Sequence, residues 1–192
     1  MDTQDNGFVL SREGEATLKM ILNRRSVRNY VPEKPLSTEI LYELVKAGMA
    51  APSAKNQQPW AFVAINDHSI LTKLAGILPH GKMLAEAGGA IVVCGDMTNT
   101  LEGSGGDFWI QDCSAAAENI MLAAEAFGIG SVWIGVYPNK FIGVENVMKM
   151  NKLLNLPGNV IALNVISLGY PASHDTPKNK YNEEKIHHNT WK

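Results

Sequence analysis

Three of the chain's four arginines fall within five residues, Arg24-Arg25-Ser26-Val27-Arg28. A guanidinium presents a planar fork of donors that matches the oxygens of phosphate or carboxylate. The serine hydroxyl among them adds a short, directional donor. Such a cluster can hold an anion, most naturally a phosphate. It can equally close a helix, because basic side chains complement the negative end of the helix dipole.

A second stretch, Ala51-Pro52-Ser53-Ala54-Lys55-Asn56-Gln57-Gln58-Pro59-Trp60, is a polar loop bracketed by prolines and closed by an aromatic. Its amides carry donors and acceptors together, which suits a heterocycle with mixed edges; the plain alternative is a helix-to-strand connection. Gly135, inside an apolar strand, marks close approach of the backbone to something. Other chemistries find no residues: no Ser-His-Asp set, carboxylate pair or metal-ligand spacing emerges. His187-His188 lie in a polar tail, so no metal is expected. Cys94 and Cys113 sit in apolar runs and read as reduced core residues.

Periodicity supplies the elements that must position these groups. Apolar spacing predicts helices over Glu13–Asn23, over about Ser37–Ala50 and over Ser69–Leu78, and a short one over Lys82–Ala87. The longest, Phe108–Phe127, is alanine-rich and apolar almost all round, so it should be central or covered by a second subunit. Another runs from Val144 to Leu154. Strands are predicted at Trp60–Ile65, Ala90–Cys94, Ser131–Val136 and Val160–Leu168. Gly103-Ser104-Gly105-Gly106 lacks the ending of a phosphate-binding loop and reads as a mobile connection, with an active-site lid as the alternative.

The 192 residues fit one domain, 1–192, with a loose lead over 1–12 and a basic tail over 172–192. Apolar residues make up 45% and charged residues 19%, as in globular proteins. A net charge of -2 argues against non-specific nucleic-acid binding. The acidic start offers no signal peptide, and no apolar run reaches the roughly 18 residues of a membrane span. A cytoplasmic setting is expected.

The order of these segments is more informative than any one of them. A helix leads to Arg-Arg-Ser-Val-Arg, and a second helix leads to Ala-Pro-Ser-Ala-Lys-Asn-Gln-Gln-Pro-Trp and a strand. After the alanine-rich helix come Gly-Ile-Gly-Ser-Val-Trp-Ile-Gly and, at the end of the last strand, Leu-Gly-Tyr-Pro. Over residues 15–190 this resembles the nitroreductase family of FMN-dependent, NAD(P)H-oxidising flavoproteins. The resemblance implies an α+β fold with a central mixed sheet of four to five strands flanked by helices, in an intertwined homodimer with FMN at the interface.

By the same resemblance Arg24 and Ser26 would hold the FMN phosphate, and Arg28 would sit near the flavin N1/C2 carbonyl. Arg25 would contribute backbone, or a charge near the ribityl chain. Pro52, Ser53, Ala54 and Asn56 would reach the flavin from the partner subunit, with Gln58 in the same motif. Ile134 and Gly135 would lie beside N5 and O4. Lys180 would take the place of a phosphate-binding arginine, and Lys82 would reach the flavin edge or the nicotinamide, or stay solvated. No side chain would be catalytic, because flavin N5 carries the chemistry. The implied reaction is ping-pong transfer from NAD(P)H to a nitroaromatic, quinone or similar small acceptor. Alternatives on the same scaffold are a specialised flavoenzyme and a non-catalytic flavin store or sensor.

Overall fold

The computed structural model describes residues 9–101, 108–138, 140, 142–173 and 176–191. The Gly103–Gly106 segment and much of the expected lead lie outside them. Among the described residues five α-helices surround one sheet: α1 (Arg12–Asn23), α2 (Thr38–Met49), α3 (His68–Ile77), α4 (Phe108–Ala126) and α5 (Val144–Leu154). The strands are β1 (Trp60–Ile65), β2 (Gly89–Asp96), β3 (Gly130–Gly135) and β4 (Val160–Gly169), in the order β1-β2-β4-β3. All three pairings are antiparallel. The expected mixed character is confined to one parallel bridge, Ser26 to Ser131, outside β3.

Alternation along the strands divides the core in two. Ile91, Val93, Ile166 and Leu168 pack with Leu41 and Leu44 of α2 and Cys113, Ala117 and Ile120 of α4. Ala90, Val92, Cys94 and Val165 face the other way, against Leu71 and Leu74 of α3 and Met150 of α5. The helices begin where side chains can take up free amides: Ser11 accepts from Gly14, Ser37 from Ile40, and Asp67 from Ser69 and Ile70. Burial raises the thiols of Cys94 and Cys113 to about 12, which keeps both protonated and unreactive at neutral pH.

Two departures from regularity shape the region beside β3. The register between β2 and β4 slips by one residue, pairing Val93 with Asn164 but Cys94 with Ala162, so Leu163 is extra. Its carbonyl accepts from both Val136 and Tyr137 N–H, each at 3.0 Å, and fixes the chain leaving β3. Helix α1 buries none of its residues, and Leu18, Ile21 and Leu22 face outward from it. On α4, buried Trp109, Cys113, Ala116, Ala117, Ile120 and Ala124 form one stripe, while Phe108, Glu118 and Ala126 lie exposed. The helix is therefore covered on one side by its own chain.

Candidate functional site at the outer edge of strand β3

The segment from Arg24 to Tyr30 is laid along β3 by packing against two glycines. A Cβ on Gly130 would stand 2.7 Å from Val27, and one on Gly169 would stand 2.7 Å from the Tyr30 ring. Only a bare backbone permits either approach. Val27 N–H donates to the Ser131 carbonyl at 2.9 Å, and Val31 N–H to the Tyr170 carbonyl at 2.8 Å. The buried Tyr30 hydroxyl donates to the carbonyls of Val27 (2.9 Å) and Ser167 (3.2 Å). Burial raises its pKa to about 12, against the lowering influence of its hydrogen bonding and of the nearby Arg28 charge.

This anchoring separates the arginines. Arg24 Nε lies 3.3 Å from Glu118 Oε1 on α4. Arg25 donates to the Ser173 carbonyl at 2.8 Å and lines a cavity of ≈ 260 Å³ with Asn23, Glu125 and Pro177. Ser26 is exposed beside Ser131. Arg28 faces a different cavity, ≈ 380 Å³, whose walls include His80, Lys82, Met83, Val132 and Trp133. Lys82 opens a 3-10 turn, Lys82–Glu86, anchored by buried Leu84. No acidic side chain lines this cavity among the described residues, so its wall carries net positive charge. A third cavity, ≈ 420 Å³, lies by the Pro32–Pro35 turn with Asn66, His68 and Glu86; none of the sequence-selected residues lines it.

The main chain of β3 contributes as well. Because Ser131 accepts from Val27, its peptide groups face away from β4. Peptide direction alternates along an antiparallel strand. Trp133 and Gly135 therefore also turn N–H and C=O outward, while Val132 and Ile134 turn theirs into the sheet. Ile134 buries its side chain, whereas Gly135 is exposed. A Cβ on Gly135 would meet only Trp133 Nε1, at 3.8 Å. Among the described residues no strand pairs with this edge beyond Ser131. The edge thus offers an outward amide at Gly135 next to the Trp133 ring, and Trp133 shares its cavity with Arg28 and Lys82.

Pro52, Ser53, Ala54 and Asn56 lie elsewhere and line none of the three cavities. Their loop contains a 3-10 turn, Ala54–Asn56, and carries Lys55, Asn56 and Gln58 at φ 49, 57 and 51. Left-handed non-glycine residues cost of order 1 kcal/mol each and persist only where surroundings impose them. The Ser53 hydroxyl accepts from Gln58 N–H at 3.0 Å, Asn56 Oδ1 accepts from the Gln58 amide at 3.2 Å, and Asp112 Oδ1 on α4 accepts from Ala54 N–H at 3.0 Å. Asp112 escaped the sequence reading, although it breaks an otherwise apolar stripe. Lys180 is exposed and lines none of the cavities. His187 stacks on Trp191 at 4.0 Å, and no cluster of three potential metal ligands occurs among the described residues. No helix among them is long and apolar enough to cross a membrane.

A profile of the nitroreductase family matches residues 21–81 and 78–170, which include the arginine cluster, the polar loop and all of β3. The chain belongs to the nitroreductase family. A protein of Archaeoglobus fulgidus, provisionally named NADH dehydrogenase/NAD(P)H nitroreductase, is 43% identical over 92% of this chain and 99% of its own. A crystal structure from Parabacteroides distasonis, under the same provisional name, is 45% identical with a TM-score of 0.82, covering 92% of this chain and 99% of that one. An FMN-dependent nitroreductase of Clostridium difficile is 29% identical with a TM-score of 0.79, covering 91% and 99%. The α+β architecture expected from the motif order is the one observed.

Proposed function

We propose that this member of the nitroreductase family is an FMN-dependent oxidoreductase that takes reducing equivalents from NAD(P)H and delivers them to a nitroaromatic, quinone or similar small acceptor. The observation that carries the reading is the free edge of β3, where Trp133 shares a cavity with Arg28 and Lys82 that no acidic side chain lines, and Gly135 stands beside the Trp133 indole. These residues fit a flavin by the chemistry of their donors: cations for anionic groups, an outward amide for a ring acceptor, an indole for a flat face. The names of the A. fulgidus and C. difficile relatives supply NAD(P)H and FMN respectively.

A bound FMN would supply the redox chemistry, hydride acceptance at N5 and electron transfer to the second substrate. Each protein group then has a limited task. Arg24 and Ser26 hold the phosphate, which requires Arg24 to share or leave Glu118. Arg28 and Lys82 place positive charge at the end of the ring system that becomes negative on reduction. Gly135 offers its N–H to N5, with Ile134 locking that strand into the sheet. Arg25, tied to Ser173, supports the phosphate end through the backbone, and Lys180 adds a point charge from the tail.

The assembly is a homodimer. Leu18, Ile21 and Leu22 on α1, together with the outer side of α4, supply apolar surface for it. Pro52, Ser53, Ala54 and Asn56, remote from their own chain's Arg28 cavity, serve the partner's flavin. The test is anaerobic addition of NAD(P)H to the flavin-loaded protein, followed by a nitroarene. Bleaching and then recovery of the flavin absorbance supports the reading. A flavin that NAD(P)H cannot reduce would leave only a binding role.

A further inference from the structure

We propose that Asp112 is a positioning residue: through the Ala54 amide it holds the strained Pro52–Gln58 loop in the shape that binds FMN. The inference rests on the flavin reading above, and adds to it a residue outside all the motifs. Asp112 sits in the buried stripe of α4 between Trp109 and Cys113, only 7% exposed. An apolar residue there would continue the stripe. A carboxyl group costs free energy in such a place unless it is given a partner. The partner is a backbone donor 58 positions earlier, Ala54 N–H at 3.0 Å. The loop it holds has three left-handed non-glycine residues within four positions, Lys55, Asn56 and Gln58. Ser53 closes the loop internally by accepting from Gln58 N–H. Among the described residues Asp112 is the side chain that hydrogen-bonds this turn to α4. Since Pro52, Ser53 and Ala54 serve the partner's flavin, each Asp112 sets the geometry of the site across the interface.

The experiment compares wild type, D112A and D112N by FMN titration of the apoprotein and by amide hydrogen exchange over residues 51–60. In D112A the Ala54 amide loses its protection, and the FMN dissociation constant rises about tenfold. Asn keeps an oxygen acceptor of the same shape, so D112N returns affinity to within about threefold of wild type. Should D112A fail to fold, D112L removes the same acceptor while continuing the apolar stripe of α4, and it must show both the lost protection and the weakened FMN binding. Three results overturn the proposal: unchanged exchange in D112A, faster exchange with unchanged FMN affinity, or D112N as weak as D112A. Wild-type protein that binds no FMN overturns the flavin reading itself, which the same titration separates from failure of the Asp112 role.

Discussion

Gly135→Ala separates the demands of the fold from those of the site. The new Cβ meets nothing nearer than Trp133 Nε1 at 3.8 Å, an ordinary contact, and Gly135 is not among the positive-φ glycines. Within the chain alone the substitution is therefore harmless. By restricting the unfolded chain it should raise stability by about 0.4–1 kcal/mol. If FMN lies against this edge, the methyl group enters space the ligand needs. Overpacking of that kind costs about 1–3 kcal/mol, or roughly 5- to 150-fold in dissociation constant. Gly95 is the control. There a Cβ would stand 2.5 Å from the Trp109 ring, so Gly95→Ala should lose about 1–3 kcal/mol of stability. Urea unfolding of the apoproteins and FMN titration by flavin fluorescence supply both numbers. A Gly135→Ala protein that binds FMN as tightly as wild type would refute the placement of the ligand at this edge. One that unfolds as readily as Gly95→Ala would refute the claim that the space is free.

Arg24→Ala should weaken FMN retention. Its loss of the part-exposed Glu118 pair should cost at most about 1 kcal/mol of stability; unchanged FMN affinity would exclude the phosphate role. Arg28→Ala should lower the midpoint potential of the bound flavin, since positive charge near the reduced ring favours reduction, and an unaltered potential measured against reference dyes would argue against that position. Tyr30 gives an alkaline signature: its folded pKa of about 12 lies above the ordinary value of 10.0, so the unfolded chain loses this proton first. Stability from this group is present in full below pH 10 and is lost as pH rises through about 12. Tyr30→Phe should flatten that dependence, read by denaturant titration between pH 9 and 11, at a cost of about 1–2 kcal/mol as the Val27 carbonyl loses its donor, the Ser167 carbonyl keeping its place in the sheet ladder.

Much of this architecture is legible in the sequence because periodicity and burial coincide. Trp60–Ile65 and Val144–Leu154 match the observed β1 and α5 end to end, and the remaining helices and strands differ by a residue or two at their ends. The antiparallel sheet is less legible, because buried apolar runs such as Ala90–Cys94 look alike whichever way their neighbours run. The arginine cluster is legible as a group, but its division is not. Nothing in five adjacent residues tells that Val27 and Tyr30 dock on Gly130 and Gly169 and send Arg25 and Arg28 to separate cavities. The polar loop shows the same limit. Asn56 is of a type that tolerates positive φ, but Lys55 and Gln58 carry no mark of it; bonds from Ser53 and from Asp112, far away in sequence, hold the loop there. Asp112 itself leaves a faint trace, a carboxyl group where helical spacing calls for an apolar side chain.

The central claim is that the β3 edge and its cations hold a redox-active FMN. The visible spectrum of the purified protein, before and after anaerobic NAD(P)H, tests it most directly. The account predicts a yellow protein with one FMN per chain that bleaches on addition of the reductant. A colourless protein that takes up no FMN when supplied with it would contradict the account.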